Sequence, residues 1–141
     1  MSKRTFIWFA VLMAVLAFVI PFAIFRAKGD GETGDMKVPA GLKDGQSIFV
    51  TNCGTCHALY SAGTDGNYGP NLDELLAPSG PPEGDQKTVD STIKATEGRV
   101  LNAIENGVDS STTPGRMPPG ILNQEQAEEV SEFVARTAGE G

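Results

Sequence analysis

The sequence predicts an all-α protein in two parts, a single N-terminal transmembrane helix and a domain of short helices built around one bound group. Three observations predict this. Residues 6–25, FIWFAVLMAVLAFVIPFAIF, run for 20 positions without a charge. Farther along, apolar side chains recur at helical spacing, most clearly Ala127, Val130, Phe133 and Val134, and no stretch shows a convincing strand alternation or an internal repeat. Finally, both cysteines and the single histidine of the 141-residue chain fall within five positions, as Cys53, Cys56 and His57.

At about 1.5 Å per residue, the N-terminal run reaches roughly 30 Å, the thickness of the bilayer hydrocarbon. A secretion signal has a shorter apolar region of about 7 to 15 residues ahead of a small-residue cleavage site. The best such site, after Ala17, would leave FVIPFAIF on the mature chain, so the run reads as a retained anchor. Pro21 is tolerable near a membrane helix end, and Trp8 suits the interface. Lys3 and Arg4 before the span balance Arg26 and Lys28 after it, so charge alone does not orient it. No cysteine follows closely, which excludes a lipid-modified cysteine as the anchor. Residues 26–41 are rich in Gly, Asp and Glu and read as a flexible acidic tether, leaving residues 42–141 as the folded domain.

Within that domain, a helix is expected to begin near Asp44, a good N-cap, and to carry Ile48 and Phe49 inward. The segment NLDELL suggests a short helix. Val89, Ile93, Val100, Leu101 and Ile104 suggest helical pieces broken near Gly98 and stopped at Gly107. The last helix is expected to start at Asn123, with Gln126 three residues on as its capping partner.

The stretch TNCGTCHALY, residues 51–60, carries the chemistry. A structural zinc site needs four ligands, and with no second Cys or His cluster zinc is left one short. A thioredoxin-like dithiol belongs in a βαβ pattern, whereas the residues that follow are Gly-, Pro- and Asp-rich. A disulfide between Cys53 and Cys56 closes a very small loop and leaves His57 unexplained. The pattern C-x-x-C-H reads instead as an attachment site for c-type haem. Two thiols adding across the haem vinyl groups must sit about one helical turn apart, as positions i and i+3 do. His57 follows directly, placed to give one ring nitrogen to the iron.

A second axial ligand is expected to be Met, His or nothing. No second histidine exists, and the methionines are Met1, Met13, Met36 and Met117. Met1 and Met13 belong to the apolar N-terminus and Met36 to the tether. Met117 sits in TTPGRMPPGIL, where two following prolines restrict the backbone and can hold the sulfur toward a fixed target. Met117 is the expected sixth ligand, with Met36 and Lys94 the next candidates.

Taken together, GQSIFVTNCGTCHALY, YGPNL, RMPPGIL and the amphipathic C-terminal helix make residues 42–141 resemble a class I, mono-haem cytochrome c of the bacterial, membrane-anchored type. The resemblance implies short helices wrapped round one covalently bound haem c, with Cys53 and Cys56 as thioethers and His57 and Met117 as axial iron ligands. It implies that Gly45 in the first helix of the domain crosses Phe133 in the last, and that the Pro70 carbonyl accepts the N–H of His57. It further implies that haem is attached outside the cytoplasmic membrane. Residues 1–5 are then cytoplasmic and the haem domain extracytoplasmic. Where the chain departs from the family, it has a Gly/Pro-rich insertion, residues 77–90, and few lysines.

From Gly29 onward, seven basic residues face eighteen acidic ones, a net charge of −11. Such a surface disfavours nucleic acid and anionic membranes. If His57 and Met117 fill both axial positions, no site remains for a substrate, and the expected role is a non-enzymatic electron carrier. Donor and acceptor would be membrane complexes, a quinol-oxidising complex and a terminal oxidase. The alternatives are a fixed haem c subunit of a larger respiratory enzyme, and a gas sensor or haem enzyme with a displaceable Met.

Overall fold

The computed structural model describes residues 3–27, 37–109 and 115–141. Met36 and most of the stretch read as a tether lie outside these residues. The chain divides into two units, Met1–Gly31 and Glu32–Gly141.

The first unit holds one helix, α1 (Lys3–Ala27), which continues through Pro21. Its segment Lys3–Phe22 is long and apolar enough to cross a membrane, a property that anchors share with secretion signals. Ile7, Trp8, Leu12 and Phe18 along it are exposed.

The second unit is mostly helical and contains, in order, α2 (Lys43–Asn52), β1 (His57–Leu59), β2 (Thr64–Asn67), α3 (Leu72–Leu76), α4 (Gln86–Asn106) and α5 (Gln124–Thr137). Val38 is buried in the core beside Leu42, so packing begins inside the stretch that composition assigned to the tether. A 3-10 turn, Ala40–Leu42, then leads into α2, with the Leu42 amide donating to the Pro39 carbonyl at 2.9 Å. Asp44 therefore lies in the first turn of α2, and Leu42 occupies the N-cap without a side-chain bond. The turn that Pro39 starts has taken over the entry that Asp44 was expected to cap. A carboxylate in the first turn still complements the helix dipole.

Gly45, Phe49 and Cys53 recur at i, i+4 and i+8, so one face of α2 and its C-cap turns inward. That face meets α5, which starts on a complete capping box. The Gln126 amide donates to Asn123 Oδ1 at 2.9 Å, and the Asn123 amide donates to Gln126 Oε1 at 3.3 Å. Ala127, Val130, Phe133 and Val134 are each no more than 1% exposed, so the apolar stripe seen in the sequence is the core face of α5. At the crossing, a Cβ added to Gly45 would run into the Glu129 carbonyl and lie 2.8 Å from Phe133 Cβ. Glycine is what lets the two backbones approach. The rings of Phe49 and Phe133 pack beside this point with centroids 6.0 Å apart and planes tilted by 60°.

Polar groups at the far end of α5 are paired. Ser61 Oγ donates to Thr137 Oγ1 at 2.7 Å, and Thr137 Oγ1 donates to the Phe133 carbonyl at 2.8 Å. Among the described residues, no buried side-chain N or O lacks a partner.

Two further features differ from the sequence expectation. Helix α4 runs unbroken through Gly98, held at its start by Asp85, whose carboxylate accepts from the Thr88 amide and hydroxyl, and ended by Gly107 at φ 72°. One exposed glycine costs a helix about 1 kcal/mol, too little to break a well-capped 21-residue segment. Strands β1 and β2 form a two-stranded antiparallel ribbon, with a register irregularity between His57 and Ala58. At three and four residues, these strands are too short for alternation to reveal them.

Candidate functional site

Helix α2 ends at Cys53, whose amide donates to the Phe49 carbonyl at 2.8 Å. The chain then turns tightly, since the amides of Cys56 and His57 both donate to the Cys53 carbonyl at 3.0 Å. This turn brings Cys53, Cys56 and His57 onto the wall of one cavity. Both thiols are free. Burial, with a smaller contribution from the neighbouring Cys56, pushes the Cys53 thiol up to about 11. That is the opposite of the lowered value a redox dithiol needs. Among the described residues, no three His, Cys, Asp or Glu side chains gather to hold a bare metal ion, so the shortage of zinc ligands in the sequence is also a shortage in space.

The turn depends on the β ribbon behind it. A Cβ on Gly66, in β2, would lie 2.6 Å from Cys56 C and His57 N and 2.7 Å from the Gly54 carbonyl oxygen. Only glycine lets β2 back so closely onto the two cysteines. The following loop is pinned by the Gly69 amide, which donates to the Cys56 carbonyl at 2.7 Å.

His57 Nδ1 lies 3.0 Å from the Pro70 carbonyl oxygen. A carbonyl can only accept, so Nδ1 carries the proton and donates, which leaves the lone pair on Nε2 free for a metal. Beneath the ring, a Cβ on Gly69 would come within 2.5 Å of Cε1 and 2.8 Å of Nδ1. Gly69 therefore fixes the height of the imidazole, a role the sequence analysis missed. Its signal was the Gly of YGPNL directly before Pro70.

Met117 lines the same cavity. Its backbone is held by a two-way bridge to Val108, amide to carbonyl in each direction at 3.0 Å. The bridge forms because the chain reverses at Gly107, where a Cβ would lie 2.6 Å from the Met117 carbonyl oxygen. The Gly120 amide, donating to the Ile104 carbonyl at 3.0 Å, ties the far side of the Pro118–Pro119 pair to α4. Met117 thus reaches the cavity from a loop fastened at both ends to α4 and its cap. Lys94, the other candidate within the described residues, does not line the cavity.

The cavity has a volume of about 820 Å³, within the range of cofactor pockets. Its walls are largely apolar, with Phe49, Leu72, Val100, Ile104, Val130 and Val134 contributed by α2, α3, α4 and α5. Among the described residues no acidic side chain lines it, while Arg99 and Arg116 do. Two thiols about one turn apart, an imidazole with Nε2 free, a thioether and apolar walls fit a covalently attached, iron-bearing macrocycle with anionic substituents.

Residues 42–138 match the family model described as cytochrome c. The chain is similar to the crystal structure of the c-type cytochrome SorU from Sinorhizobium meliloti, with 33% identity over 70% of this chain and 92% of that one and a TM-score of 0.49. No curated protein sequence matches it.

Proposed function

Because the chain belongs to the cytochrome c family and so carries covalently bound haem c for electron transfer, we propose that it is a class I, membrane-anchored carrier of single electrons. In this reading, Cys53 and Cys56 would hold the haem through thioethers, and His57 and Met117 would ligate its iron. The bound haem supplies an iron that alternates between the ferric and ferrous states. Everything else is done by the chain. Pro70 orients His57 through the 3.0 Å contact to Nδ1, and the Val108 bridge holds Met117. The apolar walls would limit the water that reaches the iron.

The observation that carries the proposal is that His57 and Met117, from separately fastened loops, line one cavity. With His57 and Met117 both holding the iron, the chain would exchange electrons across the domain surface and would transform no substrate. Thioether ligation raises the potential relative to a bis-His haem, which suits a carrier between a quinol-oxidising complex and a terminal oxidase. The apolar segment Lys3–Phe22 supports a single-pass anchor, with the haem domain on the extracytoplasmic face of the cytoplasmic membrane.

Solubilising membranes in detergent and following the haem-stained band tests the role. A carrier separates from its partner complexes at moderate salt. Stoichiometric co-purification that survives detergent and salt would instead make the chain a fixed subunit of a larger enzyme.

A further inference from the structure

We propose that Tyr68 is a positioning residue that clamps the Met117 loop to the loop orienting His57, and so sets how often the Met117 thioether leaves the iron. This rests on the reading of Met117 as the sixth ligand.

The two loops reach the cavity separately. On the His57 side, Tyr68 directly precedes Gly69, whose amide is bonded to the Cys56 carbonyl and whose α-carbon lies beneath the imidazole, and then Pro70, the acceptor for Nδ1. On the other side, Gly115 stands two residues before Met117. The Tyr68 ring lies so close to Gly115 that a Cβ there would overlap Cδ1 and Cε1 and sit 3.3 Å from Cζ. One flat side chain therefore spans from the backbone under His57 to the backbone leading into Met117, and it lines the cavity as it does so.

Three observations favour positioning over ordinary packing. Tyr68 is 55% exposed, so it adds little to the buried core. The Val108 bridge and the Gly120 bond run to α4 and its cap, and the Arg116–Asp109 ion pair at 2.8 Å joins the same strand of chain to the residue after Val108. Glycine at 115 gives the ring a flat seat that any other residue would fill. The contact is made by ring carbons, and among the described residues the phenol oxygen makes no hydrogen bond. Phenylalanine should therefore serve as well.

For Met117 to leave the iron, residues 115–117 must move away from the cavity, and the open population governs how fast an outside ligand enters. Removing the ring should raise that population about tenfold, a change equivalent to about 1.4 kcal/mol.

The test uses the full-length, haem-loaded ferric protein in detergent, reading the far-red thioether-to-iron band and the rate of imidazole binding. Wild type and Tyr68→Phe should both show the band and bind imidazole at the same slow rate. Tyr68→Ala should keep the band yet bind imidazole about tenfold faster. A purely structural role would lower the unfolding temperature without changing this rate. A Tyr68→Ala rate equal to wild type, with the band present, overturns the clamp and leaves the ligand assignment standing. A wild type that lacks the band overturns the assignment of Met117 and the clamp with it. Should Tyr68→Ala fail to load haem, Tyr68→Leu, which keeps apolar bulk but not the flat ring, takes its place. Faster imidazole entry in that variant supports the clamp, and an unchanged rate overturns it.

Discussion

At the scale of single residues, the site is governed by contacts that tolerate no extra atom. Gly69→Ala would put a methyl group within 2.5 Å of His57 Cε1, so the imidazole must tilt and its 3.0 Å contact with the Pro70 carbonyl must stretch. The expected result is a shifted midpoint potential and a lower yield of haem-loaded chain, read by redox titration and haem staining. The yield and potential of Gly98→Ala should stay at wild-type values, because nothing lies within 4 Å of a Cβ at that position. Phe133→Ala removes a fully buried ring at the α2–α5 crossing and should cost about 3 to 5 kcal/mol in denaturant unfolding. Part of the cavity lining was legible beforehand. Cys53, Cys56 and His57 declare themselves through spacing, and Met117 stood out among four methionines because prolines follow it. Gly66 and the role proposed for Tyr68 were not legible, because each is a close approach to another segment of the chain, and for Gly69 the sequence held only its place before Pro70 in YGPNL.

At the scale of elements, caps and glycines decide what each segment does. The Asn123–Gln126 capping box was visible in the sequence because it is local, and Asn123→Ala should lower stability by about 1 kcal/mol. The break expected at Gly98 did not occur, because propensity is a weak preference against a helix capped by Asp85 and packed through Val100 and Ile104. Gly98→Ala should accordingly stabilise the domain by up to about 1 kcal/mol, measured by thermal unfolding. The β ribbon escaped notice because strands this short owe their form to the Gly63 turn and to Gly66 backing onto the haem motif. The C-terminus is tied down by Asp73, whose two carboxylate oxygens accept the amides of Tyr60 and Gly139, each at 2.8 Å. Partial burial, together with the nearby Asp73 charge, raises the Glu140 carboxyl above the usual carboxylate range. A raised acid favours folding while protonated. The stability it adds is therefore present below the unfolded carboxylate value and lost as pH rises through the folded one. Across that interval, wild type should lose a little stability relative to Glu140→Gln, and the two pH profiles should run parallel outside it.

At the scale of the whole molecule, charge and membrane attachment combine in the proposed reading. The chain from Gly29 onward carries a net charge of −11, yet among the described residues no acidic side chain lines the haem cavity. Screening near 0.15 M salt limits charge steering to about 8 Å, whereas a tether raises the local concentration at a neighbouring complex toward the mM range. Attachment should therefore matter more than charge. Cleaving between Gly29 and Gly34 should leave spectrum and potential unchanged while sharply lowering membrane respiration, and moderate salt should slow the tethered form only slightly. Equal respiration by released and attached forms at matched low concentration would restrict the anchor to sorting or assembly. The apolar N-terminal helix was legible from composition alone, because an uncharged run of 20 residues is a length signal that needs no tertiary context. The central claim is that His57 and Met117 together close the iron to outside molecules, and it is tested most directly by adding carbon monoxide to the reduced, full-length protein. The account predicts no carbon monoxide spectrum in wild type and a clear one in Met117→Ala. Ready binding by wild type, or a Met117→Ala protein that still excludes carbon monoxide, would contradict it.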